Sequence, residues 1–233
     1  MFFDYYYLVL VLPAVIFAMW ASSRVNGTFR KYSQQHSRRR LTGADAARMV
    51  LDANGLRNVR IERIGGNLTD HYDPRTNVIR LSDSVYSNTS TAAIGVAAHE
   101  AGHAIQYAVG YGPIKLRAAI IPITNIGSKL ALPLILIGLL FISGELGVQL
   151  AYAGIACFAL STVFQLVTLP TEFNASRRAL AALESGHLLD DDEMVGARKT
   201  LSAAAMTYVA ALAVSLAQLL RLLLIVGGRR RND

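Results

Sequence analysis

The sequence predicts a mainly α-helical membrane protein, with about four transmembrane helices and one small α+β domain between the first two. Three observations carry this. The chain of 233 residues is 53% hydrophobic and only 17% charged, with a mean hydropathy of +0.35; an ordinary soluble domain carries about 25% charged residues. Three uncharged runs, Tyr5 to Ser23, Leu146 to Thr171 and Thr200 to Leu220, are 19, 26 and 21 residues long, each enough to cross a bilayer core. A fourth apolar stretch, Pro122 to Ile142, is interrupted only by Lys129, whose long side chain can snorkel to the headgroups.

Residues 1–23 form the first anchor. Too few positive charges precede its apolar run for a signal peptide, and Phe2, Phe3 and Tyr5 to Tyr7 supply an interfacial aromatic belt. Thr42 to Ala53 reads as a short amphipathic helix, with Thr42 as N-cap, Asp45 in the first turn and Asn54-Gly55 as the stop. Asn58 to Glu62 alternates polar and apolar residues, and Asn77 to Leu81 is short and β-branched, so both read as strands. Gly65-Gly66-Asn67 and Asp73-Pro74-Arg75-Thr76 between them are turn chemistry. Residues 24–117 thus make a basic α+β domain, and 118–171 hold two transmembrane helices, the second ending at Pro170. Residues 172–199 form a polar helical segment, in which Glu172 to Leu183 is closed by Gly186. The acidic run Asp190 to Glu193 then opens the last helix, where the dipole favours it. A fourth transmembrane helix occupies 200–228, and 229–233 is a basic tail.

The formal net charge is +7 and the pI about 9.8. Of the 23 Lys and Arg, 14 fall between Arg24 and Arg117, most densely at Arg38-Arg39-Arg40. No nucleic-acid-binding motif accompanies them, so the excess marks the cytoplasmic side of a membrane protein instead. That orientation leaves Arg229 to Arg231 outside, against the same rule. Cys157 is the single cysteine and lies within a span, so an internal disulfide is excluded.

The chemistry is concentrated in His99-Glu100-Ala101-Gly102-His103. Ser90 as a cap and the Ala-rich, Pro-free run behind it predict a helix from about 90 to 109. On it, His99 and His103 stack on one face, four residues apart. Two imidazoles so placed can hold one zinc ion, and Glu100 between them is positioned as a general base. Catalytic zinc usually takes a third protein ligand. The remaining candidates are His36, His71, His187, Glu62, Glu145, Glu172, Glu184 and Glu193. Glu172 stands out, because two membrane crossings separate it from the motif and return the chain to the same side. Glu145, in the turn between those crossings, is excluded.

Leu169-Pro170-Thr171-Glu172-Phe173-Asn174-Ala175-Ser176-Arg177-Arg178-Ala179 resembles the third-ligand segment of gluzincin-type membrane peptidases of the HtpX and CAAX-protease kind. Taken with Ala98 to Gln106 and Asp70-His71-Tyr72-Asp73-Pro74, the chain resembles the YugP-like neutral zinc metallopeptidases, bacterial integral membrane proteins of about this length. The resemblance implies a zincin-like α+β domain, one zinc ion per chain held by His99, His103 and Glu172, and Glu100 as general base. It places the protein in the bacterial cytoplasmic membrane with its active site on the cytoplasmic side. Ser176 stands where the CAAX-type pattern has an Asp that orients a ligand histidine; a serine can accept the same hydrogen bond without the charge. Arg177, Arg178, His71 and Tyr208 are candidates for stabilising the developing oxyanion.

The expected function is hydrolysis of peptide bonds by zinc-activated water. Its partners are a protein or peptide substrate and the lipid bilayer, with no nucleic acid; a homo-oligomer or a membrane protein partner stays open. The strand at Asn77 to Leu81 could offer an edge to the substrate. Two alternatives are an intramembrane, site-2-like zinc protease and a non-catalytic zinc-binding scaffold or protease regulator.

Overall fold

A computed structural model describes residues 4–229, the last without its side chain, so Phe2, Phe3 and Arg230-Arg231 lie outside the described residues. The chain divides into two compact units. One comprises the stretch up to Trp20, Leu116–Leu169 and the stretch from Thr207; the other comprises Ala21–Lys115 and Pro170–Met206.

Four helices are long and apolar enough to cross a membrane: Tyr7–Tyr32, Gly112–Leu140, Gly144–Ser185 and Asp191–Gly228. Below, α1 is Leu12–Tyr32, preceded by a wide turn over Tyr7–Val11, and α4, α5 and α6 are Gly112–Leu140, Gly144–Ser185 and Asp191–Arg229. At 1.5 Å per residue the 42 residues of α5 measure about 63 Å. A hydrocarbon core of about 30 Å accounts for roughly half of that. The sequence predicts a break at Pro170, but α5 runs through it. Proline removes one backbone donor and crowds the preceding turn, yet the helix continues across it.

Within the membrane unit, hydroxyl pairs link the helices: Ser128 and Ser161 Oγ lie 2.8 Å apart, and Thr162 Oγ1 lies 2.7 Å from Ser215 Oγ. Hydrogen bonds of this kind are a main source of helix association where surrounding lipid is as apolar as the core. The Arg221 guanidinium donates to the Asp4 carboxylate and lies over the Tyr7 ring. The start of the first helix and the late part of α6 are therefore neighbours.

The other unit is built on a three-stranded sheet, β1 (Arg60–Ile64), β2 (His71–Asp73) and β3 (Val78–Ser82), in the order β1-β3-β2. β1 runs parallel to β3, with Ile61 opposite Ile79, and β2 antiparallel, with Tyr72 opposite Ile79. β3 is thus the central strand, which is why Val78, Ile79, Leu81 and Ser82 are all buried. The edge expected there is taken up by β2, a strand too short to read within the turn-rich stretch that contains it. α2 (Gly43–Ala53) begins with a capping box: Asp45 N–H donates to Thr42 Oγ1 and Thr42 N–H to Asp45 Oδ2. It ends at Asn54 and Gly55, the latter at φ 74°.

α3 (Thr91–Ala108) carries a near-continuous alanine surface. Ala92, Ala93, Ala97, Ala98 and Ala101 are fully buried, in one core with Val50 and Leu51 of α2, Ala179 and Leu183 of α5, and Ala197 of α6. Small side chains let the helix axes approach closely. Two of the three clustered arginines are engaged in this unit. Arg38 bridges Asp190 at 2.6 Å and Asp192 at 2.7 Å, and Arg39 donates to the His187 carbonyl. Glu193, buried, accepts the backbone N–H of both Arg38 and Asp190.

The start of α3 depends on Ser90, fully buried, whose Oγ accepts the Ala93 N–H at 3.2 Å. Replacing it with alanine is expected to destabilise the domain by about 1 kcal/mol, read as a lowered midpoint in thermal unfolding of the detergent-purified protein.

Candidate metal centre

The helical repeat alone sets His99 above His103 on α3, their rings 4.7 Å apart and close to perpendicular. Glu172 reaches them from α5, two residues after Pro170. Its Oε2 lies 3.2 Å from His99 Nε2 and 3.5 Å from His103 Nε2. One ligand atom from each residue falls within 4.8 Å of the others. His103 and Glu172 are buried, and His99 is partly open to solvent.

The remaining ring nitrogens are both engaged. His99 Nδ1 lies 3.1 Å from Ser176 Oγ, and His103 Nδ1 lies 3.0 Å from Gln106 Oε1. Each imidazole can therefore keep its proton on Nδ1 and aim an Nε2 lone pair at Glu172. Two such lone pairs and a carboxylate oxygen converging on one point form a donor set suited to zinc. Burial disfavours the charged form of His103, but the hydrogen bond that the protonated ring donates to Glu172 and the charges of Glu100 and Glu172 outweigh it, raising its pKa. A metal at this site therefore displaces a proton, and its affinity falls as the pH falls.

Glu100 is 7% exposed. Its charge helps to raise the pKa of both His103 and Asp70. The Asp70 carboxylate accepts from Ser82 N–H at 2.7 Å and Ser82 Oγ at 2.9 Å. Burial pushes its pKa up against those two bonds, and Glu100 adds to the rise.

The other candidates are elsewhere. His71 is exposed on β2, its Nδ1 2.9 Å from the Thr69 carbonyl. Arg177 is exposed, Arg178 Nε donates to Asn174 Oδ1 at 2.8 Å, and Tyr208 belongs to the membrane unit. Glu62 pairs with Arg60 and Arg80, His36 Nδ1 faces Thr89 Oγ1, and Glu193 is committed to its two backbone donors.

Residues 7–227 match a family model described as "Putative neutral zinc metallopeptidase". The chain is also 44% identical over 229 residues to a protein of Bacillus subtilis (strain 168) described as "Putative membrane protease YugP", covering 97% of this chain and 99% of that relative. The chain belongs to this neutral zinc metallopeptidase family. No solved structure matches it.

Zinc is the metal of this family, and His99, His103 and Glu172 form a cluster that could hold it; the structure also shows what positions that cluster. Gly102, between the two histidines, faces α5 so closely that a Cβ there would sit 2.5 Å from the Ala175 carbonyl oxygen. Any side chain at 102 must push α5 away and take Glu172 with it. A glycine inside a helix costs about 0.5–1 kcal/mol relative to alanine; that unfavourable choice, placed between the two histidines, is the one sequence signal that could have singled it out. Gln106, Asn174 and Asp70 carried no such signal, since their relevance lies in partners far along the chain.

Gly102→Ala is expected to weaken zinc binding by roughly tenfold or more, the scale seen when the support of metal ligands is disturbed. Gly112→Ala, where a Cβ meets nothing within 4 Å, should leave it unchanged. Chelator competition on the two purified variants measures both.

Proposed function

We propose that this membrane protein is a zinc-dependent endopeptidase in which His99, His103 and Glu172 hold the metal and Glu100 is the general base. The observation that carries the reading is the convergence of two imidazole Nε2 atoms and the buried Glu172 carboxylate, with a second buried carboxylate, Glu100, on the same helix as the histidines. Zinc bound there supplies a Lewis acid for water and for the substrate carbonyl. Glu100 accepts the proton that water loses as its oxygen attacks the carbonyl carbon. It then passes that proton to the amine nitrogen as the peptide C–N bond breaks. Ser176, accepting from His99 Nδ1–H, keeps that ring turned toward the metal.

The substrate is an extended polypeptide. β2 is hydrogen bonded to β3 alone among the described strands, and α3 packs against it, so its outer edge is a place for an added strand. α3 itself is not among the four helices apolar enough to span and is packed into the core of the α+β unit. That favours a site in a domain outside the bilayer over one within it. The unit holds 17 of the 23 Lys and Arg residues, which supports a cytoplasmic position for the site.

Glu100→Gln is expected to lower cleavage of an unfolded protein such as casein by about 10²–10⁴-fold with zinc content unchanged, whereas His103→Ala should lose zinc and activity together. Undiminished cleavage by Glu100→Gln would remove that residue from the reaction.

A further inference from the structure

Gln106 is fully buried and makes three hydrogen bonds. Its Oε1 lies 3.0 Å from His103 Nδ1. Its Nε2 lies 2.8 Å from the Thr171 carbonyl oxygen and 3.0 Å from Asn174 Oδ1. Asn174 Oδ1 in turn lies 2.8 Å from Arg178 Nε.

The direction of every bond in this chain follows from its outer end. A guanidinium N–H can only donate, so the atom of Asn174 facing Arg178 must be the amide oxygen. The Gln106 atom facing that oxygen must then be its NH2 group, and the Thr171 carbonyl, which can only accept, requires the same. With both N–H groups directed at α5, Gln106 presents its oxygen to His103. An amide oxygen has no proton to give, so His103 Nδ1 carries one. The other orientation would set the Gln106 oxygen against two acceptor oxygens and its NH2 against His103 Nδ1. His103 would then be protonated on Nε2, the atom turned toward Glu172.

We infer that Arg178, Asn174 and Gln106 form a hydrogen-bond relay that fixes the tautomer of His103, with Nδ1 protonated and the Nε2 lone pair in the metal site, making Gln106 a positioning residue for zinc. The inference deepens the zinc reading and rests on it for its purpose, though not for its geometry. It also separates the two histidines. The partner of His99 is the Ser176 hydroxyl, which can donate or accept and therefore dictates no tautomer. Only His103 has its proton assigned from outside. Because the same Gln106 amide holds the Thr171 carbonyl, it also ties the second ligand to the backbone one residue before the third.

The experiment uses the full chain in detergent, its histidines labelled with nitrogen-15, in zinc-free form at a pH where His103 is neutral. Long-range proton–nitrogen correlation spectra report which ring nitrogen carries the proton. Zinc alone, titrated against a competing chelator, gives the affinity. The wild type should show His103 protonated on Nδ1. Gln106→Met, similar in size and unable to accept strongly, should shift the proton toward Nε2 and weaken zinc by about 10–100-fold. Asn174→Asp keeps an acceptor opposite both Arg178 and Gln106 and should restore the wild-type tautomer and affinity that Asn174→Leu loses. Nε2 protonation in the wild type would overturn the relay, as would unchanged tautomer and affinity in a folded Gln106→Met. If the wild type bound no zinc, the zinc reading would fall, while the tautomer spectra would still decide the relay.

Discussion

The backbone contact between α3 and α5 at Gly102 and Ala175 governs this site. His99 and His103 are aligned by the geometry of a single helix, but Glu172 lies 69 residues beyond His103 in the chain. It reaches the two histidines because α5 comes close enough that no Cβ fits between the helices. The alanine surface of α3, the Gln106 bond to the Thr171 carbonyl and the Ser176 bond to His99 all depend on that approach. A bulkier residue at the crossing would leave the two-histidine face intact and still dismantle the centre.

The second constraint is electrostatic. A carboxylate and two imidazoles this close together, with little access to water, are costly unless each is paired. The pairing is layered. Glu172 faces both Nε2 atoms, each Nδ1 has its own hydrogen-bond partner, and those partners are themselves held, Gln106 by three bonds and Ser176 by its place on α5. Glu100 is treated differently. It is not among the converging donor atoms, as suits the proton-transfer role proposed for it.

Much of this was legible in the chain. The capping box at Thr42 and Asp45, the Ser90 cap, the four apolar stretches and the His99–His103 face are local patterns, and local patterns survive folding. β1 and β3 were placed within two residues, because alternation and β-branching mark strands whatever they pair with. What could not be read was pairing over distance. β2 is only three residues long and exists because β3 has a free edge to accept it. α5 continues through Pro170, where a proline in a sequence argues for a break. The arginine cluster illustrates the same limit: as a sequence it signals the side of a membrane, yet Arg38 and Arg39 also hold the segment before α6 in place. Gln106 was invisible because its three partners lie in the metal helix and 65 and 68 residues further along.

X-ray absorption at the zinc edge, on the purified full-length protein and its His103→Ala variant, tests the central claim most directly. Ligation by His99, His103 and Glu172 predicts a shell of nitrogen and oxygen at about 2.0–2.2 Å, with the outer-shell signature of two imidazoles in the wild type and one or no bound metal in the variant. A sulfur shell at about 2.3 Å, or a spectrum that His103→Ala leaves unchanged, would place zinc elsewhere in the molecule and contradict the account.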